Sequence, residues 1–91
     1  MPKFLKAALA ATLGLFVVSG AYATGYQCAP TPKSEWKPQE QILKSLTGQG
    51  YEVRKIKVEN DCYEAYATSG GKRFEIFVQP DTGQIAQIWE D

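Results

Sequence analysis

Four groups of residues in this 91-residue chain could carry chemistry. They are two cysteines, Cys28 and Cys62; an acidic set, Glu59, Asp61 and Glu64; the tripeptide Asp81-Thr82-Gly83; and the glycine pair of Gly48-Gln49-Gly50. The chain has no histidine, which removes His-based triads, facial metal triads and a switch titrating near neutral pH. Asp-Thr-Gly is the active-site tripeptide of aspartic proteases, but those enzymes need two such carboxylates sharing one proton. A single copy directly after Pro80 reads as a hairpin turn, with Gly83 at positive φ. A dinucleotide-binding glycine loop follows a strand and opens a helix. Here the glycines close a helix and open a strand, so the order is wrong for phosphate binding. The acidic set could attract a cation, yet it lacks a glycine-bearing calcium loop and most of the oxygen ligands. A solvated turn is the simpler reading.

The cysteines depend on compartment. Lys3 and Lys6 form a basic n-region, Ala7–Val18 a short apolar run, and Ala21-Tyr22-Ala23 a small-residue cleavage site. This is the pattern of a signal peptide over residues 1–23, cut after Ala23. The apolar run falls short of the roughly 20 residues a spanning helix needs, so no membrane association is expected after cleavage. A lipoprotein acylated at Cys28 fits poorly, because Gly25-Tyr26-Gln27 is not the small, leucine-led sequence expected there. An exported protein is periplasmic or secreted and meets an oxidising environment, in which Cys28 and Cys62 are expected to pair. A bridge closing about 35 residues would stabilise by roughly 3–4 kcal/mol. A small domain benefits from such a staple. The alternative keeps the cysteines as labile thiols, with Glu59, Asp61 and Glu64 as oxygen ligands, in a redox or metal-handling accessory of the cell envelope. A redox pair is usually spaced Cys-x-x-Cys and a zinc site needs more ligands, so no metal site and no cofactor is assigned. Cleavage takes away Lys3 and Lys6, moving the formal balance from zero to minus two. With no basic stripe to neutralise phosphates, nucleic acid is not an expected partner.

The elements that position these residues can be read in order. Residues 24–37 contain Pro30 and Pro32 and lead into Pro38, which predicts an extended arm. Trp36 near its end is expected to anchor the arm on the domain. Pro38–Thr47 is the one helix candidate after the leader, with Pro38 at its first position, Glu40 paired to Lys44, and Ile42, Leu43 and Leu46 as an apolar stripe. Gly48 and Gly50 offer left-handed stops. So short a helix must be held by packing on a sheet. Tyr51–Val58 is the first strand. Its apolar positions, Tyr51 and Val53 then Ile56 and Val58, slip by one, which predicts a β-bulge around Arg54-Lys55 and leaves Lys55 and Lys57 toward water.

Cys62–Thr68 and Arg73–Gln79 alternate cleanly, bounded by Glu59-Asn60-Asp61, Ser69-Gly70-Gly71 and Pro80-Asp81-Thr82-Gly83, the pattern of an antiparallel meander. Tyr63, Ala65, Ala67, Phe74, Ile76 and Val78 are expected on the helix face. Cys62, Glu64, Tyr66, Thr68, Arg73, Glu75, Phe77 and Gln79 fall on the other. Gln84–Glu90 closes the meander with Ile85, Ile88 and Trp89. The expected fold is therefore α+β: one short helix packed on a four-stranded antiparallel meander over residues 38–91, preceded by a cleaved signal peptide and an extended, disulfide-tethered arm. Because Cys62 lies away from the helix, a bridge would draw Tyr26–Pro32 onto the outer face. There the arm either covers Tyr66 and Phe77 as a second small core or leaves an aromatic patch for a partner.

In its combination of motifs the chain resembles the PepSY domain family, in the short exported form that carries a cysteine pair. The resemblance runs over roughly Cys28–Trp89. It rests on Cys28 upstream of Trp36, a helix ending in Gly50-Tyr51-x-Val53, Cys62-Tyr63-Glu64, Gly71-Lys72, Glu75, Pro80-Asp81-x-Gly83 and Ile85. It implies a helix on an antiparallel sheet and a non-catalytic module, a relative of metallopeptidase propeptides that restrain their enzyme. It also implies structural roles for Gly50 and Gly83 as turns, Tyr63 in the core, and Cys28–Cys62 as the bridge; Gly71, in Ser69-Gly70-Gly71, is read as a further structural turn. The expected function is binding or restraint of a protein, peptide or peptidase of the cell envelope through an open sheet face or edge strand. The candidate contacts are Tyr66, Phe77 and Trp89, with Lys55, Lys57 and Arg73 nearby.

Overall fold

In the computed structural model, residues 25–91 are described; the expected signal peptide over residues 1–23 lies outside them. The proline-rich arm runs from Gly25 and is extended except for a single 3-10 turn at Lys33–Glu35. Helix α1 spans Gln39–Gly48, and strands β1 (Glu52–Glu59), β2 (Cys62–Ser69), β3 (Lys72–Val78) and β4 (Ile85–Glu90) follow. The strands form one antiparallel sheet in chain order, β1-β2-β3-β4. One helix on a four-stranded meander is the expected architecture.

The boundaries have local causes. Pro38 is the N-cap of α1 (φ −66°, ψ 149°), one position before its expected place, and its carbonyl accepts from Gln41 and Ile42. At the other end Gly50 stands at φ +100°, where a side chain would be strained. The Tyr51 N–H donates to the Leu46 carbonyl at 3.1 Å and the Gly50 N–H to that of Thr47 at 3.0 Å, which is a Schellman stop. β1 carries the expected bulge: Val53 pairs with Ala67 and Lys55 with Tyr66, leaving Arg54 without a partner in β2. The hairpins turn tightly at Asn60-Asp61 and Gly70-Gly71, all at positive φ, the geometry that suits strand twist. The Pro80–Gly83 turn is closed by Gly83 N–H to Gln79 at 2.8 Å and Gln79 N–H to Gln84 at 2.9 Å.

The main core lies between α1 and the sheet. Ile42 and Leu46, one helical turn apart, pack with Tyr63, Ala65, Ala67, Ile76 and Val78. The two alanines let the helix approach. Leu43 does not join them; it is 40% exposed, because it lies about 100° around the helix from Ile42. Trp36 meets the Tyr63 ring edge-on with centroids 5.3 Å apart, and the Tyr63 hydroxyl donates to the Lys37 carbonyl at 2.6 Å. The anchoring role expected of Trp36 is thus the observed one.

Candidate functional site

The outer face of the sheet, opposite α1, is where the arm, the disulfide and the predicted binding residues meet. Cys28 and Cys62 form a disulfide with Cα atoms 5.2 Å apart. Both are buried, with Phe77 completing a second, smaller cluster against Tyr26. Backbone and amide contacts extend this tether. The Cys28 N–H donates to the Asn60 carbonyl at 3.0 Å. Gln79 accepts from the Ala29 N–H at 3.1 Å and donates to the Ala29 carbonyl at 2.9 Å, reproducing with one side chain the pairing of an added strand. Gln27 donates to Asp61 at 2.9 Å.

Cross-strand register sets what surrounds this tether. One row reads Lys57, Glu64, Phe77, Gln87 and the next Lys55, Tyr66, Glu75, Trp89. Acids and aromatics therefore alternate like a checkerboard. The three aromatics do not make the continuous patch that alternation within single strands suggested, because Glu75 separates Tyr66 from Trp89 across the row. Phe77 is also not a surface residue: at 2% exposure it is covered by the arm, with Tyr26 at 5.7 Å and Trp89 edge-on at 4.7 Å between centroids. The arm covers the Phe77 end of the face and leaves Tyr66 half-buried and Trp89 38% exposed.

Lys55 and Lys57 both reach the Tyr66 ring, with ammonium groups 6.0 and 5.6 Å from its centroid. Lys57 also pairs with Glu59 at 2.9 Å. That bond, and then the one to Tyr66, holds the lysine charged well above its ordinary range. Burial raises the Tyr66 hydroxyl, opposed by the Lys57 contact. Arg73 stands at the far end of the face, opposite Thr68.

Two acidic residues on this face, Glu64, read from the sequence only as a member of the acidic set, and Glu75, given no functional role there, are neighbours. Glu64 is only 6% exposed, and among the described residues no buried side-chain nitrogen or oxygen lacks a hydrogen-bond partner. Glu75, diagonally across from it, is pushed above the usual carboxylate range by burial, then by the hydrogen bond and charge of Glu64, and then by Asp91. The same-face alternation of Glu64 and Glu75 was the available signal. The pairing of strands that makes them neighbours was not.

The alternative oxygen set does not converge. Glu59 is engaged by Lys57, Asp61 by Gln27, and Glu64 faces Glu75. Among the described residues no three His, Cys, Asp or Glu side chains are grouped to hold a metal ion, and no cysteine is free. No helix of the described residues is long and apolar enough to cross a membrane.

The sheet has two outer edges. β1 is bulged at Arg54, bears Lys55 and Lys57, and is flanked by α1, devices that discourage strand addition. β4 also slips register by one, at Ala86 between the Phe77/Gln87 and Val78/Ile85 pairs, but it carries no lysine and no helix flanks it. The Asp91 N–H bonds the Arg73 carbonyl at 2.9 Å. This makes Glu75/Trp89 and Phe77/Gln87 the bonded pairs and turns the backbone groups of Ile88 and Glu90 off the sheet. The Ile88 N–H meets only the side chain of its neighbour Gln87, at 3.2 Å.

No curated protein and no solved structure matches the chain significantly. The family described as peptidase propeptide and YPEB domain matches residues 6–89. With a match over nearly its whole length, a helix on a four-stranded meander and the Cys28–Cys62 bridge, the chain belongs to the PepSY family of peptidase propeptide and YPEB domains.

Proposed function

We propose that this protein is a non-catalytic interaction module of the periplasm or extracellular space that binds an extended segment of a protein partner. The segment adds as a fifth strand to β4, with Trp89 and Ile88 as apolar contacts, in the manner of β-augmentation. The observation that carries the reading is the β4 edge over Gln87–Glu90, regular beyond the slip at Ala86 and free of lysines, whose outward backbone groups lie beside two large apolar side chains, Ile88 at 37% and Trp89 at 38% exposure. Membership of a peptidase-propeptide family supports restraint of a peptidase as the form this binding takes. Phe77 packs edge-on against Trp89 beside the docked strand, whereas Tyr66, Lys55 and Lys57 share the outer face on β2 and β1, toward the opposite edge.

Substituting Ile88→Pro tests this. Proline removes an N–H that points off the sheet, not one in the β3–β4 ladder, and edge strands tolerate it. A photo-crosslinker at Ala86 should capture an envelope protein in the parent chain, and Ile88→Pro should abolish that capture while leaving the thermal midpoint within a few degrees. Undiminished crosslinking in the proline variant would exclude β4 as the docking edge.

A further inference from the structure

Two arginines of this fold have no acidic partner. Among the described residues the ion pairs are Lys57–Glu59 and Lys72–Glu90, and neither Arg54 nor Arg73 has an ion pair or a side-chain hydrogen bond. They arrive from different strands. Arg54 is the unpaired residue of the β1 bulge, a device that re-aims a side chain out of simple alternation. Arg73 lies opposite Thr68 on the outer face. Both line one open cavity of about 320 Å³, with Tyr66, Thr68 and Asp91 also on its wall. Two guanidinium groups and two hydroxyl-bearing side chains thus border a single concavity.

The charge pattern selects the ligand. Planar guanidinium forks match a carboxylate in two-point geometry, and two forks on one cavity leave each other's charge uncompensated. Asp91 borders the cavity but is engaged with Glu75, whose proton affinity it raises, and it makes no ion pair with either arginine. That acid pair would repel a multiply charged phosphate more than a singly charged carboxylate. The cavity also adjoins the proposed docking edge, since Asp91 directly follows β4 and its N–H bonds the Arg73 carbonyl.

We propose that Arg54 and Arg73 form a carboxylate-binding site that reads an acidic group, a side chain or a terminal carboxylate, on the peptide segment docked along β4. This inference rests on the peptide-binding reading above.

The test is titration of the oxidised, isotope-labelled protein, followed by amide and arginine Nε resonances. The probes are a neutral hexapeptide amide of valine and threonine, the same peptide with a free C-terminus, the amide with one internal glutamate, sodium acetate and inorganic phosphate. At least one acidic peptide should bind on the order of tenfold tighter than the neutral amide, the scale of a charge-assisted contact. Which one does so identifies the source of the carboxylate. Arg54→Gln and Arg73→Gln, both at exposed positions, should each erase that margin without altering the thermal midpoint, and Asp91→Asn, which removes the rival anion, should widen it. Equal binding of neutral and acidic peptides, with shifts at Ile88 and Glu90, would overturn the arginine site and keep strand docking. Acetate moving the Arg54 and Arg73 resonances while no peptide perturbs β4 would keep the arginine site as a receptor for small carboxylates and sink strand docking. A margin that survives both glutamine variants, phosphate binding as tightly as the best peptide, or no binding by any probe would overturn the proposal.

Discussion

Replacing both cysteines with serine, Cys28→Ser/Cys62→Ser, removes the covalent hold on the arm, and the structure sets the size of the loss. The bridged residues are 34 apart in sequence, and the chain-entropy relation gives roughly 3.8 kcal/mol at 25 °C for a loop of that length. A domain of this size has a total stability of roughly 3–10 kcal/mol, so the loss is a large fraction of the whole. It should not fall evenly. The second cluster of Cys28, Cys62, Phe77 and Tyr26 depends on the arm, whereas the main core is built from α1 and the strands. The two tryptophans separate these regions, because Trp89 packs edge-on against Phe77 and Trp36 packs on Tyr63. Urea unfolding would be followed by fluorescence in Trp36→Phe and Trp89→Phe backgrounds, each with and without the bridge. With a urea slope of roughly 1 kcal/mol per M for so small a protein, the midpoint should fall by roughly 4 M. Without the bridge, Trp89 emission should change at lower urea than Trp36 emission. A loss below about 1 kcal/mol, or Trp36 responding first, would refute the idea that the bridge holds the arm over Phe77.

Three further outcomes follow from the packing. Ile42→Ala should cost about 2–5 kcal/mol by opening a cavity under α1, while Leu43→Ala, one residue along but exposed, should cost less than about 1 kcal/mol; urea midpoints compare them directly. Gly83→Ala should destabilise by about 1–2 kcal/mol, because Gly83 sits at φ +78° and an added Cβ would come within 3.2 Å of the Lys37 side chain; a thermal melt reads this out. Glu75 has its proton affinity raised by burial and by Glu64, so its favourable contribution is fully present below its ordinary value of 4.5 and is lost as pH rises through the higher folded value. Glu75→Gln should therefore be the more stable protein at pH 7 and lose its advantage at pH 4; a parent chain equally stable relative to the variant at both pH values would contradict the assignment.

The sheet was legible because strand alternation is a local signal. The two clean runs, Cys62–Thr68 and Arg73–Gln79, identified β2 and β3 and the inward set Ala65, Ala67, Ile76 and Val78, and the one-residue phase slip in β1 located the bulge at Arg54. Turn chemistry at Gly50 and at Pro80–Gly83 was equally local, since positive φ is tolerated by few residues. For the candidate site the same signal went half as far. It put Tyr66, Phe77, Glu64 and Glu75 on one face, and it correctly set the arm on that face through Cys62.

Alternation by itself determined which side of the sheet a residue takes, the oxidised pairing followed from the inferred compartment, and both could be read without coordinates. Only the tertiary structure decided what covers each side. Burial of Phe77 under Tyr26, separation of Tyr66 from Trp89 by Glu75, exposure of Leu43 and the sharing of one cavity by Arg54 and Arg73 all depend on register between strands and on where the arm and helix lie. Those placements are fixed by contacts between segments far apart in the chain. Period-two patterning carries the direction of a side chain but no record of its neighbours across the ladder.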